Sequence, residues 1–192
     1  MILARTGNDS LALGTVQSAF GVGGLMGGLL LSTWGGPKRR VHGVLLGMIG
    51  GGLLGMTTLG LAGGLAVWVV GAFADTFFMQ MLNASNQAIW QAKVDPDVQG
   101  RVFAVRRLIA QIAAPLAMVL GGWLADRIFE PAMQPDGGWA NTFGWLVGTG
   151  PGAGMGLLLV ISGLLTALVA AVGYLIPAIR NVETILPDHV QT

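Results

Sequence analysis

The sequence predicts an all-α, polytopic membrane helix bundle of five spans, and three observations carry that reading. Of the 192 residues, 53% are hydrophobic and only 10% are charged, where a soluble domain carries roughly a quarter charged residues. Uncharged apolar runs recur along the chain, and about 20 residues at 1.5 Å each cross the hydrocarbon of a bilayer. The 32 glycines follow no Gly-X-Y period, and in apolar helices such residues let backbones approach closely. The absence of cysteine removes disulfide frameworks, thiolate metal sites and cysteine nucleophiles. A net charge of +1 supplies no clustered basic surface for nucleic acid.

The first span is the run 11–34, carrying Gly23-x-x-x-Gly27 and Gly24-x-x-x-Gly28. The run 41–74 would make a helix about 51 Å long, too long for one crossing, so it must break. The sequence Gly60-Leu61-Ala62-Gly63-Gly64 is the expected break. It leaves a second span near 42–60 and a third near 65–90. Gly43, Gly47, Gly51 and Gly55 form a four-residue ladder through the second, fitted either to static packing or to a moving seam. A fourth span is expected near 103–125, begun by a basic stretch, and a fifth near 156–177, stopped by Pro177. Residues 1–180 then form the bundle and 181–192 a short polar tail.

Alternating crossings put Lys38, Arg39, Arg40, Lys93, Arg101, Arg106, Arg107 and Arg180 on one side, leaving Arg5 and Arg127 on the other. This asymmetry predicts a cytoplasmic location for the 35–40 and 92–107 loops and the tail, with the N-terminus outside. Trp34 and Trp90 fall at inner ends, and Trp68, Trp123, Trp139 and Trp145 at outer ones, as interfacial belts require. Residues 1–10 have no signal-peptide pattern. An odd number of spans beginning outside predicts a fragment of a larger protein.

The third span carries the polar chemistry. At 100° per residue, Asp75, Thr76, Met79, Gln80, Asn83, Asn86 and Gln87 share an arc of about 140°, opposite Phe73, Phe77, Phe78 and Met81. Such a stripe must face protein or a water-filled cavity. Asp75 is expected roughly 15 Å deep, where a carboxylate pairs or takes up a proton. Two readings stay open. Asp75 binds a proton or cationic substrate with Gln80, Asn83, Asn86 and Gln87 along the path, or it is a buried acid satisfied by neighbouring helices. Asn83-Ala84-Ser85 matches a glycosylation sequon but falls within the membrane.

Two loops carry recognisable patterns. Trp34-Gly35-Gly36-Pro37-Lys38-Arg39-Arg40 resembles the glycine-and-arginine loop that follows the second and eighth helices of the major facilitator superfamily, without its usual Asp-Arg pair. Val94-Asp95-Pro96-Asp97-Val98-Gln99-Gly100-Arg101-Val102 resembles the loop before the eleventh helix in drug-efflux members. Ala125-Asp126-Arg127 fits the same branch, which includes macrolide and siderophore exporters. The resemblance matches the five spans to helices eight to twelve of a twelve-helix transporter. It implies two six-helix bundles rocking about a midplane site, driven by an ion gradient. Lys38, Arg39, Arg40 and Arg101 then become candidates for cytoplasmic gating. The competing reading is that the three loop cations fix topology and touch anionic lipid. Arg101, lying on a different helix face from Arg106 and Arg107, is not expected to share a site with them. Asp126, Glu130 and Arg127 are expected to form an interfacial ion cluster.

No hydrolase elbow, catalytic pair, metal-ligand set or phosphate loop appears. His42 and His189 are isolated, and the glycines of 148–154 lack the Lys-Ser/Thr of a P-loop and suit an interfacial turn. The expectation is therefore no enzyme and no cofactor. The function expected is proton-coupled efflux of small amphipathic molecules across the plasma or inner membrane. The expected partners are a small-molecule substrate, the bilayer, and the missing N-terminal helices or another membrane chain. The alternatives are a non-transporting truncated product and a self-associating membrane scaffold.

Overall fold

A computed structural model describes residues 1–185 and 188. Among them the chain is an all-α bundle with five helices long and apolar enough to cross a membrane. Pro187, His189 and the rest of the expected tail's end lie outside the described residues. In chain order the helices are α1 (Ile2–Arg5), α2 (Ser10–Trp34), α3 (Arg40–Gly60), α4 (Gly64–Lys93), α5 (Pro96–Ala132), α6 (Ala140–Val147), α7 (Ala153–Leu175), α8 (Pro177–Arg180) and α9 (Val182–Ile185). The long ones are α2, α3, α4, α5 and α7.

Local chemistry sets the ends. The Asp9 side chain accepts from the Leu11 and Ala12 amides at 2.8 and 3.3 Å and starts α2, satisfying donors that a helix start leaves unpaired. The chain turns between α3 and α4 where the sequence predicts it, and Gly64 takes φ +79°, a left-handed conformation that other residues rarely adopt. Pro96 at the first turn and Asp95 as cap start α5 seven residues before the expected 103.

Small residues set the packing. α4 lies between α2 and α3, and α3 lies between α4 and α7. A Cβ on Gly23 would collide with the Phe73 carbonyl, and one on Gly27 would stand 2.9 Å from the Phe77 carbonyl. On the other flank, a Cβ on Gly47 would stand 2.9 Å from Leu82 Cβ, and one on Gly55 2.6 Å from Asp75 Cα. The expected ladder 43–47–51–55 is modified in the middle. Residues Gly51–Thr57 form a π-helical stretch, whose extra residue per turn rotates the remainder of α3 about its axis. Gly50 rather than Gly51 meets the Phe78 ring closely, while Gly52 and Gly60 turn toward Gly163 and Gly156 of α7.

α5 departs from this pattern. No residue of Pro96–Leu124 is buried. It is fastened at its ends and free between them. Near its start, Gln99 donates to the Gln91 carbonyl at 3.1 Å and Arg106 stacks over Trp90 at 4.4 Å. Toward its other end, the π-helical turn Ala125–Phe129 packs on α7. Its exposed stretch includes Ile109, Ile112, Leu116, Val119 and Leu120, so hydrocarbon can solvate it without a protein neighbour.

Trp68 corrects the aromatic-belt expectation. It is 4% exposed, and its indole N–H donates to the Leu61 carbonyl at 3.0 Å. It belongs to the outer core with Val16, Leu59 and Ala72 rather than to a lipid interface.

Candidate functional site

Asp75 lies in the first half of α4, beside the π-helical stretch of α3. Its half-buried side chain borders a cleft of about 100 Å³ lined also by Gly51, Gly52, Met56, Met79 and Thr166. Apart from Asp75 and Thr166, its wall is glycine, methionine and leucine. Three helices converge there because Gly55 presents no side chain against Asp75 and Gly52 presents none against α7. Among the described residues no cation and no hydrogen-bond donor reaches the Asp75 carboxylate. The nearest hydroxyl-bearing side chain on the wall, Thr166, donates to its own helix, to Ser162 O at 2.8 Å.

The other candidates on α4 separate. Thr76 faces α2, its hydroxyl donating to Phe20 O at 2.8 Å, and Gln80 lies against Gly24 and Gly27 of α2. Asn86 is engaged further inward, where its Oδ1 accepts from the Trp90 indole at 3.1 Å. Asn83 and Gln87 are exposed, together with Met79. The stripe is thus an uncovered strip between the two flanking helices. Asp75 forms its α3 border and Gln80 its α2 border. Gln80, Asn83, Asn86 and Gln87 do not line the Asp75 cleft.

At the end of the bundle that holds the 35–40 loop, Arg40 donates to the Ala88 carbonyl at 2.9 Å and so ties the start of α3 to α4. From the tail, Glu183 accepts from the Val41 amide at 3.0 Å. Lys93 donates to Glu183 O at 2.9 Å and pairs with Asp188 at 2.7 Å, which holds that carboxyl below its usual range. Lys38 and Arg39 are exposed. Arg101 and Arg106 line one cleft of about 360 Å³ with Trp90. The wall between the two arginines is Val102 and Val105, and among the described residues no hydrogen bond or ion pair joins Arg101 to Arg106 or Arg107. His42 stacks on Tyr174 with Nδ1 3.2 Å from the hydroxyl.

Two outer residues matter that the sequence did not single out for this role. Arg5 donates to three backbone carbonyls, Gly60 at 3.4 Å, Leu61 at 3.1 Å and Val147 at 2.6 Å. Burial lowers its pKa from the usual value and Glu130 opposes that shift. Glu130 accepts from the Gly152 amide and from the Met155 amide, capping α7. The expected cluster of Asp126, Glu130 and Arg127 is absent among the described residues, because Glu130 is committed to that helix start. The signal for Arg5 was its position, as one of two basic residues outside.

These features define a class: an all-α polytopic membrane protein with an unpaired acid among its packed helices. Comparison with known proteins narrows it. Over 114 residues, 58% of this chain, the sequence is 29% identical to macrolide efflux protein A of Streptococcus pyogenes, and equally to that of its serotype M6 strain. The matched stretch covers 28% of those proteins, so the chain spans under a third of the length of the curated relatives it matches. No family model and no solved structure matches.

Proposed function

We propose that this chain supplies the C-terminal wall of a secondary active transporter that exports small amphipathic molecules, with Asp75 as its proton-carrying group. The carrying observation is an unpaired carboxylate beside an otherwise apolar cleft where three helices meet. An acid that only stabilised the bundle would have a partner, since an unpaired polar group inside a membrane protein is costly. The likeness to macrolide efflux proteins supports efflux over enzyme chemistry. The distribution of cations supports cytoplasmic placement of the 35–40 loop and an outside N-terminus. Arg40 and its neighbours Lys38 and Arg39, with Arg101, stand at the cytoplasmic ends of α2, α3 and α5, where a rocking motion would change their contacts.

The test is proton-driven efflux of a cationic dye from vesicles holding the protein expressed from its full open reading frame. Asp75→Asn is expected to abolish efflux at unchanged membrane abundance. Undiminished efflux under the same proton gradient would remove Asp75 from the mechanism.

One observation favours a second reading, self-association. Gly14, Gly21 and Gly28 recur on one side of α2 and face open space, a surface suited to close helix contact. Cross-linking through cysteines at these positions gives dimers if α2 pairs with itself, and none if another part of the transporter covers it.

A further inference from the structure

A second cleft, of about 510 Å³, opens at the cytoplasmic end between the start of α3 and the inner part of α4. Its walls include Leu31, the side chains of Lys38 and Arg40, and Ser85. We propose that it binds the phosphate of an anionic phospholipid from the inner leaflet. The inference rests on the membrane-spanning architecture and its cytoplasmic sidedness, and not on transport.

Ser85 is the first observation. It is 6% exposed, yet its hydroxyl makes no hydrogen bond among the described residues. Elsewhere in these helices Thr15, Ser18 and Thr166 each donate back to the carbonyl four residues earlier, at 2.8, 2.9 and 2.8 Å, the usual way a membrane helix satisfies a hydroxyl. Ser85 instead packs beside Gly43, where any side chain would displace it, and borders the cleft. No buried side-chain polar atom lacks a partner among the described residues, so the unbonded Ser85 oxygen opens to the cleft, where it can meet a ligand oxygen.

The cations are the second. The bond from Arg40 to Ala88 O fixes the guanidinium at the wall while using one of its five donors. Lys38 makes no ion pair among the described residues. The neighbouring acids are engaged, Glu183 by the Val41 amide and Asp188 by Lys93. The cleft is therefore bordered by two positive side chains and one hydroxyl donor, a set that matches a phosphate diester. A lipid rather than a free anion is indicated by the surroundings. Leu31 borders the cleft, and Leu29, Leu30 and Trp34 beside it on α2 are exposed, so acyl chains have an apolar surface next to the phosphate. Basic pockets between helices on the cytoplasmic side are a known setting for anionic headgroups.

The test is native mass spectrometry of the 192-residue chain in detergent, titrated with dioctanoyl phosphatidylglycerol and, in parallel, with inorganic phosphate. Phosphatidylglycerol should bind saturably, with millimolar inorganic phosphate failing to displace it. Lys38→Gln should weaken it about fivefold, the worth of one basic residue near an anionic surface. Arg40→Gln should weaken it at least as much and Ser85→Ala measurably, while Arg180→Gln, on the same side but outside the cleft, should leave it unchanged. Lys38 is exposed in a turn, so its substitution preserves the fold. Unchanged affinity of Lys38→Gln would overturn the site, and so would an equal loss from Arg180→Gln. Ready displacement by inorganic phosphate would overturn the lipid as its occupant.

Discussion

Arg5 illustrates how one side chain can finish several helices at once. The last carbonyls of α3 and α6 have no amide partners within their own helices. At the outer end no Lys or Arg other than Arg5 and Arg127 is expected. The guanidinium supplies donors to Gly60, Leu61 and Val147, and lies 6.0 Å from the Trp68 ring. Hydrogen bonds to a charged group contribute about 1.5–3 kcal/mol each when removal strands the partner. Water reaches this end of the bundle and tempers the loss. Arg5→Ala should therefore destabilise the chain in detergent by about 2–4 kcal/mol, read as a drop in the midpoint of thermal unfolding. Arg5→Lys should recover less than half, because an ammonium lacks the planar fork that reaches separate carbonyls. An alanine variant that unfolds with the parent would mean that solvent caps these ends unaided. In the sequence Arg5 stood out as an exception to the charge asymmetry. Its three acceptors are backbone groups up to 142 residues away, which no local pattern specifies.

At the scale of the element, the helices were legible and their mutual rotations only in part. Hydropathy and the break at 60–64 are properties of neighbouring residues, so the five spans and the turn between α3 and α4 could be read directly. The π-helical stretch could not, since Gly51–Thr57 contains nothing that an ordinary helix forbids. It is held instead by contacts on two sides: Gly55 against Asp75 of α4 and Gly52 against Gly163 of α7. The same distinction separates glycines that look alike in sequence. A methyl on Gly55 meets the α4 backbone at 2.6 Å, whereas one on Gly21 meets nothing. Gly55→Ala should therefore lower stability by at least about 2 kcal/mol through overpacking. Gly21→Ala should raise it by up to about 1 kcal/mol, since alanine is the better helix former. Denaturation in mixed micelles measures both. Equal effects at the two positions would mean that the seam of α3 on α4 is not close-packed. The polar stripe divides in the same manner. Its arc was predictable from helical spacing, but its separation into a cleft side with Asp75 and an α2 side with Gln80 arises from where the two glycine seams place the neighbours.

At the scale of the whole molecule, the bundle is close-packed on one side and open on the other. The order α2, α4, α3, α7 is joined through glycine seams, while α5 is fastened at the ends and has no buried residue through Pro96–Leu124. Association inside a bilayer depends on packing surfaces rather than on hydrophobic drive. α5 presents large apolar side chains at Ile109, Ile112, Leu116 and Val119, and its Gly121 and Gly122 have nothing within 4 Å. The chain alone therefore supplies no lateral contact that fixes the middle of this helix. Spin labels on cysteines replacing Leu116 of α5 and Leu168 of α7, both exposed, would report the consequence. In the 192-residue chain their distance distribution should be broad, several times wider than that of a pair on α3 and α4. Under the proposed function, further helices that cover this face should narrow it. A narrow distribution in the chain alone would show that α5 has a defined seat within these five helices, leaving no uncovered side for further helices to complete.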